Sequence, residues 1–196
     1  MIALISFTSF AFAGGDQNQT RYDGAIGEGP TQQQRIANPN EDALQVRQLT
    51  PDQKLALYSI YEEEKVARDV YITLGEKYSE ENTFANIQWS EQNHMDAVRN
   101  LCVKYGIDIP DVDAGVGVFE LPGMAGLYDS FVAQGTLSLL DALGVGQEIE
   151  IMDIEDLGGA LEGMPADVQR VLLNLISGSN NHWEAFTTAL ERETAQ

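Results

Sequence analysis

An all-α four-helix bundle is the fold that the sequence predicts. Three observations point to it. Four stretches carry apolar residues in alternating steps of three and four, the spacing that lines one face of a helix. Capping residues, prolines and glycines stand where such helices would start and stop. A connection of roughly 30 residues separates the second stretch from the third, long enough to cross a bundle from end to end.

The first long helix opens at Thr50-Pro51-Asp52-Gln53, a capping box with proline at the first helical position, and runs to about Glu76. Its seam reads Leu57, Ile60, Glu64, Ala67, Tyr71, Leu74. Glu62 and Glu63 fall off the seam and can be solvated; Lys65, Arg68 and Asp69 are also off it. Tyr78 to Asn82 is a short polar turn, so the second helix should return antiparallel, from about Thr83 to Tyr105, with Gly106 just past its end. Its seam is Phe84, Ile87, Glu91, His94, Val98, Leu101, Tyr105.

Residues 107–124, with Pro110 and Pro122, show no helical period and form a long loop; residues 125–134 form a short helix closed by Gly135. Thr136 is the expected cap of the third long helix, with seam Leu139, Leu143, Gly146, Glu150, Asp153, Leu157. Gly144 and Gly146 lower its helicity by about 1 kcal/mol each and leave room for a close neighbour. After the turn at 158–164, Pro165 starts the fourth helix, which runs to about Glu193. Its seam is Val168, Leu172, Leu175, Ser179, His182, Phe186, Ala189. The centre, Ser177-Gly178-Ser179-Asn180-Asn181-His182, is made of poor helix formers, the mark of a distorted helix or of one that serves a site.

A length of 196 residues fits one domain with extensions, and a hydrophobic content of 43% suffices for a core. Residues 1–13 are uncharged and mostly apolar, and end in Ala11-Phe12-Ala13. They resemble the core of a signal peptide with cleavage after Ala13, and predict an exported, periplasmic or secreted protein. Residues 14–48 are rich in Gly, Gln, Asn, Asp and Pro and read as a flexible tether. The bundle then occupies 49–194. Eleven Lys and Arg face 31 Asp and Glu, a net charge of −20 that repels nucleic acid and anionic membranes and attracts cations. Cys102 is the only cysteine, so no intrachain disulfide forms, and its apolar neighbours make it a buried small hydrophobe. No stretch is apolar enough to span a membrane. There is no Gly-rich phosphate loop, cysteine metal cluster, Ser-His-Asp pattern or basic aromatic patch.

Each seam is interrupted near its midpoint: by Glu64, by Glu91 and His94, by Glu150 and Asp153, and by Ser179 and His182. Both histidines of the chain are in this set. Taken singly, Glu64 could pair with Arg68, a core histidine could be satisfied by hydrogen bonds, and Asp153 could pair locally. Tyr61, Tyr71 and Tyr105 could assist a site or pack as core; Trp183 could be core or a lid. Jointly, four carboxylates and two imidazoles at one level of a bundle core cost several kcal/mol each unless compensated, and a pair of divalent cations compensates them directly. The predicted ligands are Glu64, Glu91, His94, Glu150, Asp153 and His182.

This arrangement resembles the ferritin-like bundles, with Glu on helix one, Glu-x-x-His on helix two, a long crossover, Glu on helix three and Glu-x-x-His on helix four. More closely, the chain resembles the uncharacterised ferritin-like family known as domain of unknown function 2202. The resemblance rests on residues 62–71, 90–98, Ile149-Glu150 with Asp153-Ile154 and Asp156-Leu157, and Gly178-Ser179 with Asn181-His182 and Ala185-Phe186, and covers roughly residues 50–192. It implies the bundle fold and metal binding and does not by itself supply a reaction; the leading reading of the six residues is a dinuclear iron or manganese site that, if active, would use O2 or peroxide to oxidise Fe(II) or a small reductant. One departure stands out: Ser179 occupies the place of the helix-four glutamate, and Asp153 is positioned to replace it as ligand or as a partner of the ligands. Two alternatives use the same residues: a non-catalytic metal-sequestering protein of the cell envelope, and a metal-free structural or interaction bundle. The oligomeric state is open.

Overall fold

A computed structural model describes residues 48–110 and 115–195; the expected signal segment at 1–13 and the tether at 14–48, apart from Gln48, lie outside the described residues. Five helices and no strand make up the described residues: α1 (Pro51–Lys77), α2 (Asn82–Lys104), α3 (Met124–Gly135), α4 (Leu139–Ala160) and α5 (Ala166–Thr194). None is long and apolar enough to cross a membrane.

Local chemistry sets the helix ends. Gln53 N–H donates to Thr50 Oγ1 at 3.2 Å, and Thr50 N–H donates to Gln53 Oε1 at 3.0 Å, closing the capping box of α1. At the end of α2, Gly106 takes φ +63°, which lets Ile107 N–H reach Cys102 O at 2.8 Å. The cap of α4 is Ser138, not Thr136. Ser138 Oγ accepts from Asp141 N–H at 3.1 Å, while the Thr136 hydroxyl donates back to Ala133 O at the end of α3. The helix starts where a side-chain oxygen reaches a free N–H, two residues later than expected.

α1 packs on α2 and α4 on α5; α1 also meets α4, α2 meets α5, and α3 lies on α1 and α4. Helix positions allow two close approaches. A Cβ on Gly146 would sit 2.5 Å from the Phe186 ring, and one on Gly135 would sit 2.6 Å from Leu74. Gly144 faces open space and serves no such contact.

The core is divided. One apolar cluster holds Leu57, Ile60, Val98, Leu101, Leu172 and Leu175. The other holds Val70, Leu74, Phe84, Leu143, Phe186 and Ala189. On every long helix the polar midpoint residues fall between the two.

One expectation is overturned. Glu62 is buried, not solvated, and Lys65 and Asp69, also off the seam, are buried with it. The crossover covers them. Lys65 Nζ donates to Asp69 Oδ2 at 2.5 Å and to Gly115 O at 2.9 Å, and lies 4.5 Å from the centre of the Phe119 ring. Asp69 also accepts from Arg68 and from Gly117 N–H. Glu62 accepts from the N–H groups of Glu120 and Leu121. Charged groups off the seam of α1 thus anchor the crossing segment by its backbone. Arg68 is committed to Asp69 and Gln92, so it does not neutralise Glu64.

Candidate metal centre

α1 contributes Glu64, and α2 contributes Glu91 and His94 one turn apart. α4 contributes Glu150 and α5 contributes His182. All five are buried. Glu91 is the hub. Its Oε2 lies 2.8 Å from His94 Nδ1, and its Oε1 lies 2.7 Å from His182 Nδ1. Each histidine also faces a second carboxylate: His94 Nδ1 is 3.1 Å from Glu64 Oε2, and His182 Nδ1 is 3.4 Å from Glu150 Oε2. The imidazoles stack with centroids 5.3 Å apart. Ligand atoms of Glu91, His94 and His182 lie within 4.8 Å of one another, close enough for a shared cation.

Distance would make each of these contacts an ion pair, but several lack hydrogen-bond geometry. Glu64 Oε1, Glu91 Oε1 and His182 Nδ1 are buried without a hydrogen-bond partner among the described residues. Such atoms are rare in folded proteins because each carries the full cost of leaving water.

The electrostatics tell the same story. Burial pushes Glu64 well above the usual carboxylate range, and Asp153 and Glu91 add to it against the pull of His94. Burial and the charge of Glu91 push Glu150 up to about 7, against His182 and Tyr71. Asp153 rises to about 8 through burial and the charges of Glu91 and Glu150, although its hydrogen bond to Ser179 opposes the rise. Burial also opposes the charge of Glu91, yet the two imidazoles outweigh it and hold Glu91 at about 2. Burial opposes protonation of the histidines too, but their carboxylate neighbours raise His94 to about 11 and His182 to about 9. The centre thus sets four carboxyl groups against two imidazoles, and burial favours the uncharged form of the surplus carboxyls.

Asp153 is within electrostatic reach of Glu64, Glu91, Glu150 and His94 but hydrogen-bonds none of them. It hydrogen-bonds Ser179, whose hydroxyl also lies 3.1 Å from Leu175 O. The serine in the place of a helix-four glutamate is thus a partner for the aspartate one helix away. Tyr71, wholly buried, donates to Glu150 Oε1 at 2.7 Å and packs against Phe84 and Phe186. Tyr61 lies in the apolar core and Tyr105 bonds Asp167, so neither joins the centre. Trp183 is 36% exposed and is not core.

One residue at the centre, Ser90, had no signal in the sequence, and a second, Gly178, stood out only as a poor helix former in mid-helix. Ser90 Oγ lies 2.8 Å from His182 Nε2. Gly178 gives His94 its room: a Cβ there would sit 2.5 Å from His94 Nε2. α5 is continuous through its poor helix formers. The glycine and serine there serve neighbouring helices rather than a distortion.

Comparison with known proteins places the chain. Residues 52–196 match the family described as Uncharacterized protein domain (DUF2202). The chain is 42% identical over 149 residues to Uncharacterized protein MJ0754 of Methanocaldococcus jannaschii, covering 76% of this chain and 80% of that one. It is also similar to the crystal structure of hypothetical protein MJ0754 from Methanococcus jannaschii, with a TM-score of 0.71 and 41% identity over 74% of this chain and 83% of that chain. The chain belongs to the DUF2202 family.

Proposed function

We propose, with that membership as the premise, that the chain is a ferritin-like protein whose centre holds two divalent cations, iron foremost and manganese next. The observation that carries this reading is the contact of His182 Nδ1 with Glu91 Oε1. Both atoms are buried, they lie 2.7 Å apart, and neither has a hydrogen bond. A cation shared between them satisfies both at once. The donor set of carboxylate oxygens and imidazole nitrogens suits iron, manganese and zinc.

The residues divide into two half-sites. His94 and Glu64 form one, His182 and Glu150 the other, and Glu91 offers one oxygen to each. Tyr71 orients Glu150, and Ser179 holds Asp153 as a further carboxyl. Apolar clusters on both sides exclude bulk water and strengthen every charge interaction between them. Bound iron or manganese would supply one-electron chemistry toward O2 or peroxide, with Fe(II) or a small reductant as electron source.

The test is metal analysis of protein refolded with Fe(II), beside a His94→Ala/His182→Ala variant. The expected result is about two ions per chain in the first, as in the di-metal carboxylate bundles, and loss of both in the variant. Equal, near-zero metal in the two sinks the reading. Oxygen uptake on adding Fe(II) then separates an oxidase from a sequestering protein.

A further inference from the structure

The two half-sites share Glu91 and otherwise carry the same residue types, yet the second nitrogen of each ring meets a different neighbour. His182 Nε2 has Ser90 Oγ at 2.8 Å. His94 Nε2 faces Gly178, where a Cβ would sit 2.5 Å from it, and the hydrogen bond of that ring among the described residues is made at Nδ1. The Nδ1 atoms differ as well. His94 Nδ1 is engaged in a hydrogen bond with Glu64 at 3.1 Å. His182 Nδ1 and the Glu91 oxygen that it faces are both without one.

We infer that Ser90 is a positioning residue that makes the half-sites unequal: by accepting from His182 Nε2–H it fixes Nδ1 as the ligating nitrogen, and the His182–Glu91–Glu150 half takes the first cation. The inference rests on the dinuclear reading. Its physical basis is the cost of entry. A cation arriving between His182 Nδ1 and Glu91 Oε1 replaces one proton of an ion pair that lacks hydrogen-bond geometry, and it meets a ring already oriented. A cation arriving at His94 must displace Glu64 from Nδ1 and finds a ring held only by packing. Ligating histidines are commonly oriented through their other ring nitrogen, and loss of such a partner weakens metal binding about 10–100-fold. Ser90 also lies on the same helix as Glu91 and His94, so the residue that orients His182 is carried by the helix that supplies two of the ligands.

The experiment is calorimetric titration of metal-free protein with Zn(II), a redox-inert probe, on the wild type and on Ser90→Ala, Ser90→Thr, His94→Ala and His182→Ala. The wild type should bind in two steps. Ser90→Ala should weaken the first step about 10–100-fold and leave the second unchanged; Ser90→Thr, which keeps the hydroxyl, should restore it. His94→Ala should retain the tight step and His182→Ala should lose it. ¹⁵N NMR of the Zn(II)-loaded wild type should show His182 bound through Nδ1 with a proton on Nε2. An unchanged first step in Ser90→Ala, a tight step that survives in His182→Ala, or His182 bound through Nε2 overturns the inference while the dinuclear reading stands. A wild type that binds no Zn(II) and no Fe(II) overturns both.

Discussion

Glu64 and Lys65 are neighbours on α1, both buried, and they belong to two polar clusters with opposite accounts of charge. Under the crossover, Lys65 and Arg68 face Asp69, and Glu62 takes two backbone N–H groups. Every one of these groups has a partner supplied by the chain. In the centre of the bundle, Glu64, Glu91, Glu150 and Asp153 outnumber two imidazoles, and three buried atoms have no hydrogen bond. The first cluster is complete as it stands and serves to pin a loop. The second is complete only when protons or cations are added. A buried charge is therefore not a functional signal in itself; what matters is whether the fold supplies its partners.

Breaking the closed cluster should have the largest effect on folding. Asp69→Ala leaves the buried Lys65 with Gly115 O and the Phe119 ring but no counter-charge, frees Gly117, and should cost about 3–5 kcal/mol in urea unfolding. The loss should be the same with and without chelator. A cost below about 1 kcal/mol would mean that the pair is not the anchor of the crossover.

The open cluster should respond to metal instead. At 100 to 1,000 times the dissociation constant, bound metal stabilises by about 2.7–4.1 kcal/mol, and chelator should remove that amount. Glu91→Ala should abolish the difference, since Glu91 touches both histidines. A wild-type unfolding curve indifferent to chelator would place the two clusters in one class.

The same centre sets a pH dependence. The folded protein holds its histidine protons more tightly than the unfolded chain: His94 at about 11 and His182 at about 9, against 6.5. Their contribution to metal-free stability is complete below 6.5 and is lost as pH rises through 9 and then 11. Glu150, raised to about 7, and Asp153, raised to about 8, act in the same direction. Metal competes for the same sites, so affinity rises where metal-free stability falls. Chelator-treated protein compared at pH 6 and pH 9 by urea midpoint should be weaker at pH 9; an equal or higher midpoint there would contradict the assignment.

Two glycines give smaller and more selective tests. Gly146→Ala and Gly178→Ala both overpack the bundle, at about 1–3 kcal/mol each. Gly146→Ala presses on Phe186 and should leave zinc affinity unchanged, whereas Gly178→Ala presses on His94 and should weaken the second cation. Equal effects on affinity would show that the distortion spreads through the bundle rather than along one contact.

The helices and the level of the centre were legible in the sequence. The seam residues that periodicity picks out on α1, α2 and α5 are buried, and α4 follows with Leu139 and Asp153 partly exposed. Glu64, Glu91, His94, Glu150 and His182 stand out because each is polar where its own helix should be apolar. Periodicity reports only the face that a helix turns to the bundle. Glu62, Lys65 and Asp69 lie off that face, and their burial depends on where a non-helical segment 50 residues later comes to rest. Ser90 is likewise unremarkable in sequence, and Gly178 shows only as a poor helix former, since a small residue beside a seam carries no period.

Local pattern thus determined the helical class, the helix ends to within three residues (α4 runs on through Gly158 and Gly159 to Ala160) and the level of the polar layer, because these depend on residues three and four apart. Tertiary structure decided which charges are closed among themselves and which remain open. It set Ser179 against Asp153, Ser90 against His182 and Gly178 against His94. Each of these joins two helices, and such distances are defined only once the helices have packed.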